Sequence, residues 1–190
     1  MAKIGFVYST VDGHTLEICQ RLIEVVERGG FEAAILELTA DSVLDLTPYD
    51  QVVVGASIRY GKHRPELTRF INENTGVLES KLGAFFSVNA VARKPEKKEP
   101  HTNPYVRKFL KTIAWKPTII GIFGGRIHYA KYRFWDRTMI RFIMWMTKGP
   151  TNLDANVDFT DWDEVEAFGH AICELEQQER KNNHIEGSSI

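Results

Sequence analysis

Short, densely apolar runs alternate along this chain with longer stretches whose apolar residues return every three or four positions. Ile4, Phe6 and Val7 form the first run, which stops at small hydroxyl residues and a glycine. From Leu16 to Arg28 a helical period follows through Cys19, Leu22, Ile23, Val25 and Val26, and Gly29-Gly30 stops it. Such a run predicts a buried strand, and the period predicts an amphipathic helix. Phe31 to Leu38 predicts a second strand, and Gln51 to Ala56, with its row of valines, a third strand buried on both faces. Between them Thr39 to Tyr49 is polar, with a turn at Thr47-Pro48 and a short helical turn expected at Ser42 to Asp45. Pro65 opens a helix to about Asn74 that turns Leu67, Phe70 and Ile71 inward. Leu82 to Val88 predicts a fourth strand, Tyr105 to Thr112 a helix carrying Val106, Phe109 and Leu110, and Thr118 to Phe123 a fifth strand ended by Gly124-Gly125. Asp161 and Glu164 make a capping box for a last helix with Val165, Phe168, Ile172 and Leu175 as its stripe, and the polar tail at 181–190 reads as disordered.

Strands alternating with helices, joined by right-handed crossovers, give an α/β fold: an open, doubly wound, five-stranded parallel sheet with helices on both faces. We expect one domain over 3–176, interrupted after strand 5 by a long aromatic and basic insertion at 126–150. In such sheets a ligand sits beyond the carboxyl ends of the strands, at the topological switch point. Three strand ends therefore supply the binding loops: Ser9 to Thr15, Ala56 to Gly61, and Ser87 to Arg93.

Composition narrows the class. The 190 residues carry 43% hydrophobic and 26% charged side chains, enough for a full core, and the formal charge of −1 provides no global field to draw nucleic acid. Cys19 and Cys173 are far apart and sit in helical patterns without a Cys-x-x-Cys, so both are expected as buried free thiols in a reducing cytosol, with no disulfide and no metal. The chain enters its first strand without a secretory leader and holds no uninterrupted apolar run of roughly 18 residues, so a soluble or peripheral protein is expected.

The first loop, Ser9-Thr10-Val11-Asp12-Gly13-His14-Thr15, is neither a Walker pattern nor a Gly-x-Gly-x-x-Gly fingerprint. Its hydroxyls, its glycine and the following helix N-terminus suit a monophosphate without a lysine or a metal, and we read it as the seat of a flavin phosphate. The competing reading is that Asp12 merely caps the first helix. His14 reads as a solvent-facing residue of the first helical turn rather than a catalytic one. In the second loop, Ala56-Ser57-Ile58-Arg59-Tyr60-Gly61, Tyr60 offers a face on which an isoalloxazine could stack, or is simply a half-exposed loop aromatic. The third loop, Ser87-Val88-Asn89-Ala90-Val91 and on to Arg93, offers backbone groups to the ring edge.

Together with that first loop, Gly-Ala-Ser-Ile-Arg-Tyr-Gly at 55–61, Ser-Val-Asn-x-Val-Ala-Arg-Lys-Pro-Glu-Lys at 87–97 and Tyr-x-x-Tyr-Arg-Phe-Trp-Asp-Arg at 129–137 resemble the bacterial menaquinone-dependent protoporphyrinogen oxidases. The resemblance runs from about residue 3 to residue 175. It implies a flavodoxin-like fold and an FMN enzyme of haem biosynthesis, which oxidises protoporphyrinogen IX to protoporphyrin IX and passes the electrons to menaquinone or another quinone. No residue announces itself as a catalytic acid or base. A flavodoxin-type electron carrier and an NAD(P)H:quinone reductase are the competing functions. Carriers are usually strongly acidic, and this chain is near neutral with no second nucleotide loop.

Two segments suit the implied substrates. Arg93 and Lys94, within a cationic stretch that also holds Lys97, Lys98, Arg107, Lys108 and Lys111, could pair with the propionates, as could Arg126 and Tyr129; solvated surface lysines account for the same stretch. Residues 132–148 mix Trp135, Met139, Phe142 and Trp145 with flanking cations. They read as an interfacial membrane helix or a lid over a greasy substrate, with an ordinary core helix as the alternative. Lipophilic substrates favour a peripheral position on the cytoplasmic side of the inner membrane.

Overall fold

A computed structural model of the chain describes residues 1–128 and 156–187. Strands β1 (Lys3–Ser9), β2 (Glu32–Glu37), β3 (Gln51–Ser57), β4 (Leu82–Val88) and β5 (Ile119–Phe123) form one parallel sheet in the order β2-β1-β3-β4-β5. Helices α1 (His14–Arg28) and α5 (Trp162–Gly187) cover one face, and α2 (Pro65–Glu73), α3 (Thr75–Glu79) and α4 (Pro104–Phe109) the other.

The alternation of side chains along each strand divides the core in two. Val52 and Val54 of β3 join Leu67, Ile71, Phe85 and Val106 in the cluster under α2–α4. Val53, one residue out of phase, joins Ile4, Phe6, Ile18, Leu22, Phe86 and Ile172 under α1 and α5. Central strands buried on both sides must be apolar at every position, which is why β3 reads as an unbroken valine row. Gly55 continues that strand without a side chain because Phe86 lies flat across it: a Cβ there would stand 2.1 Å from the Phe86 ring.

Strand order, the sheet's direction and the two-sided helices match the expected architecture. Local differences have physical causes. Ser42 to Asp45 forms no helical turn, because its side chains take the backbone bonds: Ser42 Oγ receives the Thr39 N–H at 2.9 Å and donates to the Glu37 carbonyl at 3.1 Å, and Asp45 Oδ1 receives the Thr47 N–H at 2.9 Å. The last helix runs to Gly187, through most of the 181–190 stretch expected to be a loose tail. A helix nucleated on the core needs little to extend, and an Arg180–Glu176 bond at 3.2 Å supports the polar turns. Two short antiparallel strands, β6 (Arg126–His128) and β7 (Asn156–Asp158), pair Arg126 with Asp158 and close the base of the insertion. Strands this short carry no readable alternation.

Candidate functional site

β1 and β3 are adjacent in the sheet, yet the connection from β1 runs through α1 on one face and that from β3 through α2 on the other. Neighbouring strand ends whose loops part in opposite directions leave a crevice between them. From the first loop it is lined by Thr10, Val11, Asp12, His14 and Thr15, and from the second by Ser57, Ile58, Arg59, Tyr60 and Gly61. The third loop adds Val88, Asn89, Ala90, Val91 and Arg93, and Arg126 stands at one edge. The remaining expected residues lie behind this surface or off it: Ser9, Gly13, Ala56 and Ser87 are not on the lining, nor is Lys94. Tyr129, Trp135, Met139, Phe142, Trp145 and the rest of the segment 132–148 lie outside the described residues.

Two hydroxyls make the first loop more than a helix cap. Ser9 Oγ and Thr15 Oγ1 are buried and have no hydrogen-bond partner among the described residues. A buried hydroxyl left unpaired costs roughly 1–3 kcal/mol, and these two flank the first loop, Ser9 at the end of β1 and Thr15 in the first turn of α1, where an acceptor would satisfy both. Asp12 does not cap the helix. Gly13 holds that position at φ 86°, a left-handed conformation that a side chain would strain, and no side chain caps α1. The Gly13 N–H instead donates to Thr10 Oγ1 at 3.1 Å, and Asp12 turns outward to receive Arg59 Nη1 at 3.4 Å. Arg64 Nη1 donates to the Thr10 carbonyl at 3.1 Å, so two arginines brace the second loop against the first.

His14 is buried, against the expectation of a solvent-facing ring. Thr160 Oγ1 donates to the Gly124 carbonyl at 3.0 Å, so the 2.6 Å contact from His14 Nε2 to that oxygen makes Nε2–H the donor. Nδ1 lies 3.4 Å from Glu17 Oε2. Burial pushes the His14 pKa below its ordinary value, against the opposing pull of Asp158. Arg126, a substrate candidate by sequence, is held by Glu17 through two contacts of 2.8 Å and by Asp158 at 3.0 Å. These contacts join α1 to the β6–β7 hairpin, so a propionate at this edge of the crevice would have to share Arg126 with Glu17 and Asp158. Lys98 is likewise committed, to Glu164 at 2.6 Å, and so Glu164 completes only half of the capping box, with its N–H on Asp161 Oδ1 at 3.3 Å. Arg93 lies on the lining, where burial lowers its pKa.

Tyr105 and Gly125 line the crevice and were missed by sequence. The available signal for Tyr105 was Asn103-Pro104, a helix start that projects an aromatic from the first turn toward the second loop. Gly124-Gly125 was read as a strand terminator alone, whereas a Cβ on Gly124 would meet the Phe159 carbonyl at 2.1 Å, the mark of two backbones in close approach.

A flavodoxin domain family model matches residues 6–154. The chain belongs to the flavodoxin domain family. That family implies a flavin cofactor, and the unpaired hydroxyls, the helix N-terminus and the crevice fit its phosphate and ring. Among curated relatives of this flavodoxin domain, the protoporphyrinogen IX dehydrogenase [quinone] of Escherichia coli (strain K12) is 40% identical over 173 residues, spanning 91% of this chain and 96% of that protein. A protein of the same name from Leishmania major is 36% identical over 174 residues, spanning 91% of this chain and 75% of its own length. Oxidised Flavodoxin 1 from Bacillus cereus has the same fold, with a TM-score of 0.55 at 14% identity over 91% of this chain and 98% of that one.

Proposed function

We propose that this chain is an FMN-dependent oxidoreductase that converts protoporphyrinogen IX to protoporphyrin IX with menaquinone or another quinone as acceptor. The observation that carries the reading is the pair of buried, unpartnered hydroxyls, Ser9 Oγ and Thr15 Oγ1, behind a crevice at the switch point of a flavodoxin sheet. The choice of substrate is supported by the close relation to the dehydrogenases named above.

FMN, when bound, supplies the electron-accepting centre that no side chain here provides. Thr10 and Thr15, on the lining, would hold its phosphate with hydroxyls, with Ser9 Oγ buried just behind them, and the first N–H groups of α1 would add donors without a counter-ion. Tyr60, 48% exposed and flanked by the Arg59 guanidinium 5.4 Å from its ring centre, offers the stacking face, and Tyr105 stands beside the same loop. Asn89 to Val91 and Arg93 line the crevice, where the backbone groups would face the ring edge and the guanidinium would pair with a propionate. The quinone and the porphyrinogen are both lipophilic. That chemistry, with the aromatic and basic composition of 132–148, supports a peripheral place on the cytoplasmic face of the membrane, with Trp135, Met139, Phe142 and Trp145 as its contacts.

The test is anaerobic. Protein reconstituted with FMN is given protoporphyrinogen IX, with and without a soluble menaquinone analogue, and porphyrin fluorescence is followed. Quinone-dependent fluorescence growth is expected; flavin binding without turnover would leave an electron carrier instead.

A further inference from the structure

Behind the third loop lies a chain of buried polar groups that the proposed reaction does not use. Asn103 is fully buried and Asn89 is 2% exposed. Asn103 Oδ1 receives the backbone N–H groups of Tyr105 at 3.2 Å and Val106 at 3.3 Å, which caps α4. Only an oxygen can accept these bonds, so the amide nitrogen must face the other way. There it donates to the Lys97 carbonyl at 2.9 Å and to Asn89 Oδ1 at 3.1 Å. Asn89 Oδ1 is fixed by the same logic, because it also receives the Ala92 N–H at 3.1 Å. The Asn89 amide then reaches Ser87 Oγ at 3.4 Å, and Ser87 Oγ meets His63 Nε2 at 3.1 Å. Both asparagines have their orientation set by backbone groups, and buried networks pinned in this way are rigid.

Asn103 therefore joins three things: the helix start that carries Tyr105, the end of β4, and the loop from Ala90 to Lys98. Tyr105 in turn lies against the second loop. A Cβ at Gly61, where φ is +75°, would stand 3.2 Å from the Tyr105 ring, so the aromatic and that turn are in contact. We propose that Asn103 is the positioning residue for the ring side of the crevice, holding Tyr105 and the Asn89–Arg93 loop in one fixed arrangement. This rests on the reading of the crevice as a flavin site.

Capping and positioning are separable by chemistry. Asn103→Asp keeps an oxygen for the two N–H groups of α4 but turns a second oxygen on the Lys97 carbonyl and Asn89 Oδ1, replacing two bonds with repulsion. Asn103→Ser keeps a cap without any group able to reach the loop, and decides the question if the aspartate variant does not fold. Two measurements are made on the full chain: amide hydrogen exchange in the protein without flavin, and FMN affinity with the absorption envelope and midpoint potential of the bound flavin. In both variants exchange at Ala92 and across 90–98 is expected to accelerate while Tyr105 and Val106 stay protected, and the FMN dissociation constant to rise ~10-fold. The potential should move as well, which loss of a helix cap alone would not cause. Unchanged exchange over 90–98 together with unchanged FMN affinity and potential overturns the proposal. If the unsubstituted chain takes up no FMN, the flavin reading fails, and the exchange measurement still decides whether Asn103 holds the loop.

Discussion

Acid should weaken this fold through His63 before most of its carboxylates titrate. The ring is 9% exposed, packed 4.3 Å from Phe109 and 5.7 Å from Phe85 by ring centres, with Nε2 on Ser87 Oγ. Burial pushes its pKa from 6.5 down to about 3. In the unfolded chain the imidazole recovers its ordinary value. Between the two values the unfolded state therefore binds a proton that the native state excludes. The folded pKa is the lower one, so the stability is present above about 6.5 and is lost as pH falls toward 3. Each pH unit inside that window is worth about 1.4 kcal/mol, and moving from pH 7 to pH 5 removes about 2 kcal/mol. That is a large fraction of the roughly 5–15 kcal/mol that holds a domain together. Urea unfolding at pH 7, 6 and 5, run on the native chain and on His63→Gln, isolates the effect. His14, whose pKa burial also lowers, and the carboxylates act equally in both proteins. The native chain should lose about 2 kcal/mol more than the variant over this range. Parallel losses, within about 0.5 kcal/mol, would show that His63 is protonated in the folded state or reachable by water, and would refute the reasoning.

Other substitutions probe the site and the core. Thr15→Ala and Ser9→Ala should each weaken FMN binding ~10-fold or more, read by quenching of flavin fluorescence, since a hydroxyl bonded to a charged phosphate is worth about 1.5–3 kcal/mol; unaltered affinity would remove the phosphate seat. Gly55→Ala drives a methyl into the Phe86 ring and should cost at least about 2 kcal/mol in urea unfolding, and a neutral effect would mean that β3 and β4 part easily there. Arg126→Ala should leave the KM for protoporphyrinogen within about twofold while lowering stability by about 1 kcal/mol or less, the scale of a partly exposed ion-pair network. A tenfold rise in KM would restore Arg126 as a propionate partner. Vesicle co-sedimentation should fall when Trp135 and Phe142 become serine, and unchanged binding would count against a membrane role for the 132–148 segment.

The positions of the three loops were legible in the sequence because strand ends announce themselves: an apolar run needed to fill a two-sided core must stop where the core stops. That alone puts Thr10, Thr15, Tyr60 and Asn89 on the crevice lining. Other residues were misread because their partners are remote in sequence. His14 looks like any first-turn histidine until Thr160 and Asp158 from the far end of the chain cover it. Arg126 looks like a free cation until Glu17 of α1 takes it. Tyr105 and Asn103 belong to the site only because α4 starts beside β4.

By itself, then, the order of apolar and polar residues determined the layered α/β architecture, the strand ends at which the crevice opens, and the hydroxyls of the first loop. These are consequences of local period and of burial, which act on neighbours along the chain. Tertiary structure alone decided which charges remain available and which are neutralised, which hydroxyls are left without partners, and how Asn103 fixes the wall of the crevice. Ion pairs and hydrogen bonds are formed over a few ångströms, and Arg126 and Glu17 stand 109 positions apart in sequence; only the folded chain brings their atoms within that reach.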